Sequence, residues 1–321
     1  MNAALQCLSH TPVMNKVSLP VDVDVEVRGA LRMAHDRTQS FAPDLMVLFG
    51  ADHFNGVMHD MMPPFCIGAG AQSLGDYGTV AGPLPVPTVL AVECARAVLE
   101  DGVDTAVSHR LRVDHGFTQA LELLTGGIDR VPVLPIFINC IGEPLTTVRR
   151  VRLLGEAIGR YLAREHSDKR ILIVGSGGIS HDPPIPSLQT GSEAVRSRLI
   201  NGIVRTPDEQ RLQEERVVYA ARAFAKRDAA AVGAPMAALN PEWDRRILSW
   251  LCQGDFAALD GLTNAEIVIQ GGKGAQEIRT WIAAFACLSA IGRCESQLDY
   301  YRAIPDWIAG FAVAHGHLSA S

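Results

Sequence analysis

Short apolar runs alternate along this chain with longer stretches in which apolar positions return on one side of a helix. Ala4 to Leu8 reads as a short core strand and Leu45 to Phe49 as a compact buried one. Arg170 to Val174 is the clearest strand, set between Lys169 and Gly175. Thr105 to Ser108 is another, its end blurred by His109-Arg110-Leu111-Arg112. Val131 to Ile138 has strand character, but Pro132 and Pro135 lack amide donors, which predicts an edge or irregular position. One-sided stripes predict helices over 23–41, ended by Pro43, over 86–100, stopped by Asp101-Gly102, and over 151–164. Residues 208–226 read as a charged amphipathic helix whose Glu214-Glu215-Arg216 cluster is a solvated face. Pro241 opens a further helix ending near Gly254, Trp281 to Ile291 reads as a core helix, and Tyr300 to Phe311 adds aromatic packing surface. Pro63-Pro64 and the glycine-rich run from Gly68 to Gly82 predict a long constrained loop, either a pocket wall or loose surface.

Short strands alternating with helices indicate an α/β fold, and sites in such folds form beyond the strand ends. No repeat and no clean linker interrupts the pattern, so a single catalytic domain over 1–321 with a largely helical C-terminal part is expected. With 321 residues, 48% of them hydrophobic, the chain can fill one large core or two modest ones. A formal charge of -6 argues against a broad nucleic-acid surface, which needs a positive field against phosphates. The first residues lack a basic start and a long apolar region, and the apolar stretch near Trp281 is too short to span a bilayer. The 7 cysteines are scattered, with no C-x-x-C pair, which fits reduced, mostly buried thiols in a cytosolic protein. Cys7 and Cys66 are assigned to packing in preference to catalysis.

The chemistry lies in the polar breaks. His10, His53, His115, His181 and, less clearly, His59 sit in short polar segments beside the apolar runs. Singly, each is explained as well by a core or loop-locking role. In combination, on strand ends that converge, they point to a metal centre with acid–base groups around it. His10 in Ser9-His10-Thr11-Pro12 and His53 in Asp52-His53-Phe54-Asn55 are the first two candidate ligands. Glu277 is the third: it shares a helical face with Trp281 and Phe285, and a carboxylate beside that stripe needs a partner if buried. The competing reading has Glu277 stabilising a helix start through nearby amides. Two neutral imidazoles and a carboxylate form one face of an iron site, leaving positions for an ortho-diol and oxygen. Zinc and manganese accept the same donors, and the lack of H-E-x-x-H weakens a zinc-peptidase reading. His115 and His181 are suited to moving protons near neutral pH, or to structural hydrogen bonds, and Asp114 either orients a ring or faces outward. Gly175-Ser176-Gly177-Gly178 matches neither a dinucleotide fingerprint nor a phosphate loop, and reads as flexible backbone that lets His181 approach a ligand.

Several runs together resemble the class III extradiol dioxygenases over nearly the whole chain. They are Cys7-Leu8-Ser9-His10-Thr11-Pro12, Phe49-Gly50-Ala51-Asp52-His53-Phe54-Asn55-Gly56, Val113-Asp114-His115-Gly116-Phe117, Gly175-Ser176-Gly177-Gly178-Ile179-Ser180-His181 and the segment from Tyr300 to Phe311. The resemblance implies one α/β domain around a central mixed sheet. It implies non-haem Fe(II) held by His10, His53 and Glu277, with His181 as base for the catechol and His115 as acid in the later rearrangement. Its implied substrates are molecular oxygen and a catechol bearing a carboxylate side chain, such as 3-(2,3-dihydroxyphenyl)propanoate or 2,3-dihydroxycinnamate. Assembly from identical subunits is implied as well; NAD, flavin and haem are not required. Arg110, Arg112, Lys273 and Arg302 are the candidates for holding the side-chain carboxylate, each equally compatible with surface pairing. Two other classes stand beside this one. A metal-dependent hydrolase on a related scaffold would need no oxygen, and a small-ligand binding protein would bind aromatic diols without turnover.

Overall fold

The computed structural model describes residues 2–203, 205–226 and 237–319. Its frame is an eight-stranded sheet in the order β10-β11-β1-β9-β2-β8-β3-β6. The strands are β1 (Asn2–Leu8), β2 (Leu45–Gly50), β3 (Phe65–Gly68), β6 (Ala106–Ser108), β8 (Val133–Ile138), β9 (Arg170–Ser176), β10 (Cys294–Ile304) and β11 (Ala309–Leu318). β1, β9, β2 and β8 run parallel as neighbours. β11 on β1 and β3 on β8 are antiparallel, which makes the sheet mixed. Every residue of β2 and β8 is buried, as expected for strands covered by helices on both faces. The side-chain alternation of β2 is explicit. Leu45, Val47 and Phe49 enter the core under α2 (Thr88–Glu100), α4 (Val148–Glu165) and α10 (Ile278–Ile291). Met46 and Leu48 enter the opposite core, under α1 (Val21–Phe41) and α3 (His115–Thr125).

One segment departs from the sequence expectation. β8 lies inside the sheet, between β2 and β3, rather than at an edge. Pro132 precedes the strand and only accepts, from the Met46 amide at 2.8 Å. The ladder to β3 runs from Phe65–Ile138 to Ile67–Ile136 and stops short of Pro135, so no amide is required of it on that side. The segment from Tyr300 to Phe311 is the turn of an antiparallel hairpin whose second strand, β11, pairs with β1 and joins the two chain ends in one sheet. The glycine-rich run is also structured. β4 (Ala71–Ser73) and β5 (Gly82–Pro83) pair with each other, and β4 pairs with β7 (Leu111–Val113). Among the described residues, no helix is long and apolar enough to cross a membrane.

Glu277 owes its position to the packing of α10. A Cβ on Gly155 or Gly159 of α4 would strike the Ala283 or Cys287 carbonyl of α10. A Cβ on Gly175 would crowd the Trp281 Cα at 3.1 Å. Bare backbone on both neighbours therefore lets α10 settle against α4 and β9. Gly155→Ala gains ~1 kcal/mol of helix propensity but forces overpacking against backbone, at a cost of about 1–3 kcal/mol. We expect net destabilisation in urea unfolding; an unchanged or higher midpoint would contradict this close approach.

Candidate metal centre and its pocket

The parallel strands deliver the histidines. β1 and β9 end in register at Leu8–Ser176, and β2 meets β9 at Phe49–Gly175, so three chain exits lie side by side. His10, His53 and His181 follow these exits, a site beyond the carboxyl ends of the strands. Glu277 ends a short 3-10 turn (Gly274–Glu277) and leads into α10. That junction is tied to the end of β9, because Thr280 Oγ1 donates to the Ser176 carbonyl and Trp281 Nε1 to the Gly177 carbonyl, both at 2.9 Å. Gly178 is bare where the His181 ring passes: an added Cβ would lie 2.8 Å from its Cε1.

The result is a tight cluster. Glu277 Oε1 lies 3.0 Å from His53 Nε2 and 3.3 Å from His181 Nε2. Its Oε2 lies 3.6 Å from His10 Nε2 and accepts from the Gly178 amide at 2.8 Å. His10 Nε2 and His53 Nε2 are 3.5 Å apart. Asp114 accepts from His53 Nδ1 at 2.9 Å, and also from the His53 amide, Asn55 Nδ2 and the Gly116 amide. His181 Nδ1 donates to the Ile179 carbonyl at 3.1 Å, and His10 Nδ1 lies 3.0 Å from Ser176 Oγ. Each Nδ1 is thus engaged outward while each Nε2 faces a buried carboxylate.

Electrostatics sharpen this picture. Burial pulls the His10 imidazole down to about 3 despite Glu277 beside it, so the ring is neutral at neutral pH and one of its nitrogens carries a lone pair. Burial also opposes charge on His53 and His181, but Asp114 and Glu277 around His53, and Glu277 beside His181, outweigh it and raise both. Burial alone would raise Glu277, yet His181 and His10 hold it well below the usual carboxylate range. An anion facing three ring nitrogens needs positive charge among them: either protons or a metal cation in their place. The donor set fits a cation that takes neutral imidazole and carboxylate together.

His115 forms a second unit. It opens α3, capped by Asp114, whose Oδ1 accepts from Gly116 N at 2.9 Å. Its Nδ1 donates to Asp76 Oδ2 at 2.6 Å and its ring stacks on His53 at 4.5 Å between centroids. Among the described residues, His115 Nε2 is buried with no hydrogen-bond partner. A three-imidazole set of His10, His53 and His115 is also compact. We favour Glu277 over His115 beside His10 and His53, because it contacts both rings and brings the charge that offsets a divalent ion.

These five residues line one cavity of about 310 Å³, together with Phe54, Tyr77, Ile185 and Trp307. Other sequence candidates fall elsewhere. His59 packs on Phe54 at 5.1 Å and lines a neighbouring cavity of about 420 Å³, as does Lys273. Arg302 pairs with Glu26 at 2.8 Å and Asp22 at 3.2 Å, and Arg110 and Arg112 are exposed away from the cavity. Burial raises the thiols of Cys7 and Cys66, the latter to about 11, and neither lines the cavity. Arg216, read from sequence as part of a solvated face, is exposed and also borders this cavity. Asp114 proves to orient His53; its distance to His115 Nδ1 is 3.8 Å. The carboxylate on His115 is Asp76, from the glycine-rich segment, and no spacing in the sequence marked it.

An α/β sheet with histidines and a carboxylate gathered at its parallel strand ends defines a metal-centre enzyme scaffold. The chain matches the model of the catalytic LigB subunit of aromatic ring-opening dioxygenase over residues 4–312, and it belongs to that family. Among its curated relatives is the 2,3-dihydroxyphenylpropionate/2,3-dihydroxicinnamic acid 1,2-dioxygenase of Cupriavidus pinatubonensis (strain JMP 134 / LMG 1197), 49% identical over 320 residues and covering 100% of both chains. The enzyme of that name from Klebsiella pneumoniae (strain 342) is 49% identical over 322 residues, covering 100% of this chain and 99% of the relative. Its namesake from Rhodococcus jostii (strain RHA1) is 50% identical over 314 residues, covering 98% of each.

Proposed function

We propose that the protein is an Fe(II)-dependent extradiol dioxygenase acting on 3-(2,3-dihydroxyphenyl)propanoate and 2,3-dihydroxycinnamate in the breakdown of aromatic compounds. Both oxygen atoms enter the product, 2-hydroxy-6-oxonona-2,4-dienedioate or the corresponding trienedioate, so substrate and O₂ combine with no atom lost. The observation that carries this reading is the convergence of His10, His53 and Glu277 at an apolar cavity. These three residues would hold the iron. When bound, iron supplies the redox chemistry that couples an electron-rich diol to oxygen.

The remaining chemistry belongs to the chain. His181, its tautomer set by the Ile179 carbonyl, presents Nε2 to the cluster and takes a phenolic proton there. His115, held through Nδ1 by Asp76, would in its doubly protonated form give the Nε2 proton to oxygen as the O–O bond breaks, both oxygen atoms being retained. The apolar wall limits water at these transfers. Asp114 orients His53, and Asp114→Asn should weaken iron binding by about 10–100-fold; parent-like affinity in an iron titration would contradict that role. We further propose that 1–321 forms a single catalytic domain, supported by the pairing of β1 with β11. The working form is proposed as a cytoplasmic assembly of identical subunits without nucleic-acid or membrane partners.

The test is anaerobic Fe(II) loading, then oxygen uptake and product mass with the two named catechols. Stoichiometric uptake with addition of two oxygen atoms is the expected result. Product formed without oxygen, or equally with zinc, would turn the assignment to a hydrolase; binding without turnover would turn it to a binding protein.

A further inference from the structure

The helix α6 (Pro207–Ala225) supplies part of the cavity wall through Gln213, Arg216, Val217 and Ala220. Their spacing places them on one helical face. Glu214 ties the helix to the rest of the site by accepting from the Tyr77 amide at 2.9 Å and from the Lys16 ammonium. A Thr206–Glu209 capping box fixes its start. Among the described residues lining the cavity, Arg216, an exposed residue of α6 that borders the cavity, is the one lysine or arginine. The acids nearest it in sequence have other partners: Glu214 holds Lys16, and Glu215 lies 4.0 Å from Arg211. The cavity therefore offers a cluster suited to a metal-bound diol, an apolar wall that includes Val217, Ile185 and Trp307, and one guanidinium.

We propose that Arg216 is the specificity residue that binds the side-chain carboxylate of the substrate. This rests on the proposed reading of the cavity as a catechol site. A planar guanidinium matches a carboxylate with two parallel N–H donors, and Gln213 on the same face offers a further amide donor. The four basic residues suggested by sequence do not line this cavity. Arg216 thus reads the acid end of the ligand, while the histidine–glutamate cluster reads the diol end. Catechols whose short side chain ends in a carboxylate are preferred over those ending in a methyl group.

The test separates binding from catalysis. Under anaerobic conditions, 3-(2,3-dihydroxyphenyl)propanoate and 3-propylcatechol are titrated calorimetrically into Fe(II)-loaded parent and Arg216→Gln protein. The parent should prefer the acid, and the variant should lose about tenfold or more of that preference. Arg216→Glu should invert it. The ratio of the two ligands within each protein cancels any general loss of folded material. An unchanged preference in Arg216→Gln, or a parent that does not prefer the acid, overturns the assignment. A failure of the dioxygenase reading registers separately, as absent oxygen uptake once air is admitted.

Discussion

Glu277→Ala is expected to lower iron affinity by at least about 100-fold and to take oxygen-dependent turnover with it. That figure is the upper end of what removing a group behind a metal ligand costs, and Glu277 is proposed as a ligand itself. The substitution removes the carboxylate facing His53, His181 and His10 and strands the Gly178 amide that donates to it. The stranded donor adds about 1–3 kcal/mol of destabilisation, so thermal unfolding of the metal-free variant separates lost stability from lost metal. Glu277→Gln keeps the side-chain shape and an acceptor for Gly178 while removing the charge, and it should also bind iron poorly. Iron content and oxygen uptake equal to the parent in either variant would remove Glu277 from the ligand set.

The second large effect concerns proton transfer. His181→Gln and His115→Gln should each lower kcat by about 10²–10⁴-fold, the range that a positioned acid or base contributes. The two are distinguishable before oxygen is admitted. The His181 variant should fail to develop the ultraviolet absorbance of a deprotonated catechol when mixed anaerobically with iron and substrate. The His115 variant should develop it normally and stall afterwards. The separation follows from geometry: His181 Nε2 lies 3.3 Å from Glu277, whereas His115 Nδ1 is engaged by Asp76 and only Nε2 is left to act. Near-normal turnover in either variant would end its assigned role.

Much of this site is legible in the sequence because parallel strands impose it. Once Leu45–Phe49 and Arg170–Val174 are read as buried strands, His53 and His181 must emerge at strand ends, and His10 follows from Ala4–Leu8 in the same way. Glu277 is legible from the apolar face it shares with Trp281 and Phe285, whose rings do stack, 6.5 Å apart. Pairing is less legible. Asp114 precedes His115 in sequence, yet the turn into α3 points its carboxylate at His53, and His115 finds Asp76 across a separate small sheet. Arg216 was obscured for a different reason. It is exposed, as its charged surroundings suggest, and that the same face also borders the cavity follows only from the placement of α6. Pro135 misled because a missing amide matters only where a neighbouring strand requires it, and the ladder to β3 stops before that residue.

The most direct test of the central claim is anomalous diffraction at the iron edge from crystals of anaerobically loaded protein. The account predicts one iron peak in contact with His10 Nε2, His53 Nε2 and a Glu277 carboxylate oxygen, with His115 and His181 near it but not bound to it. Iron held by His115 or Asp76 in place of Glu277, or found away from this cluster, would contradict it.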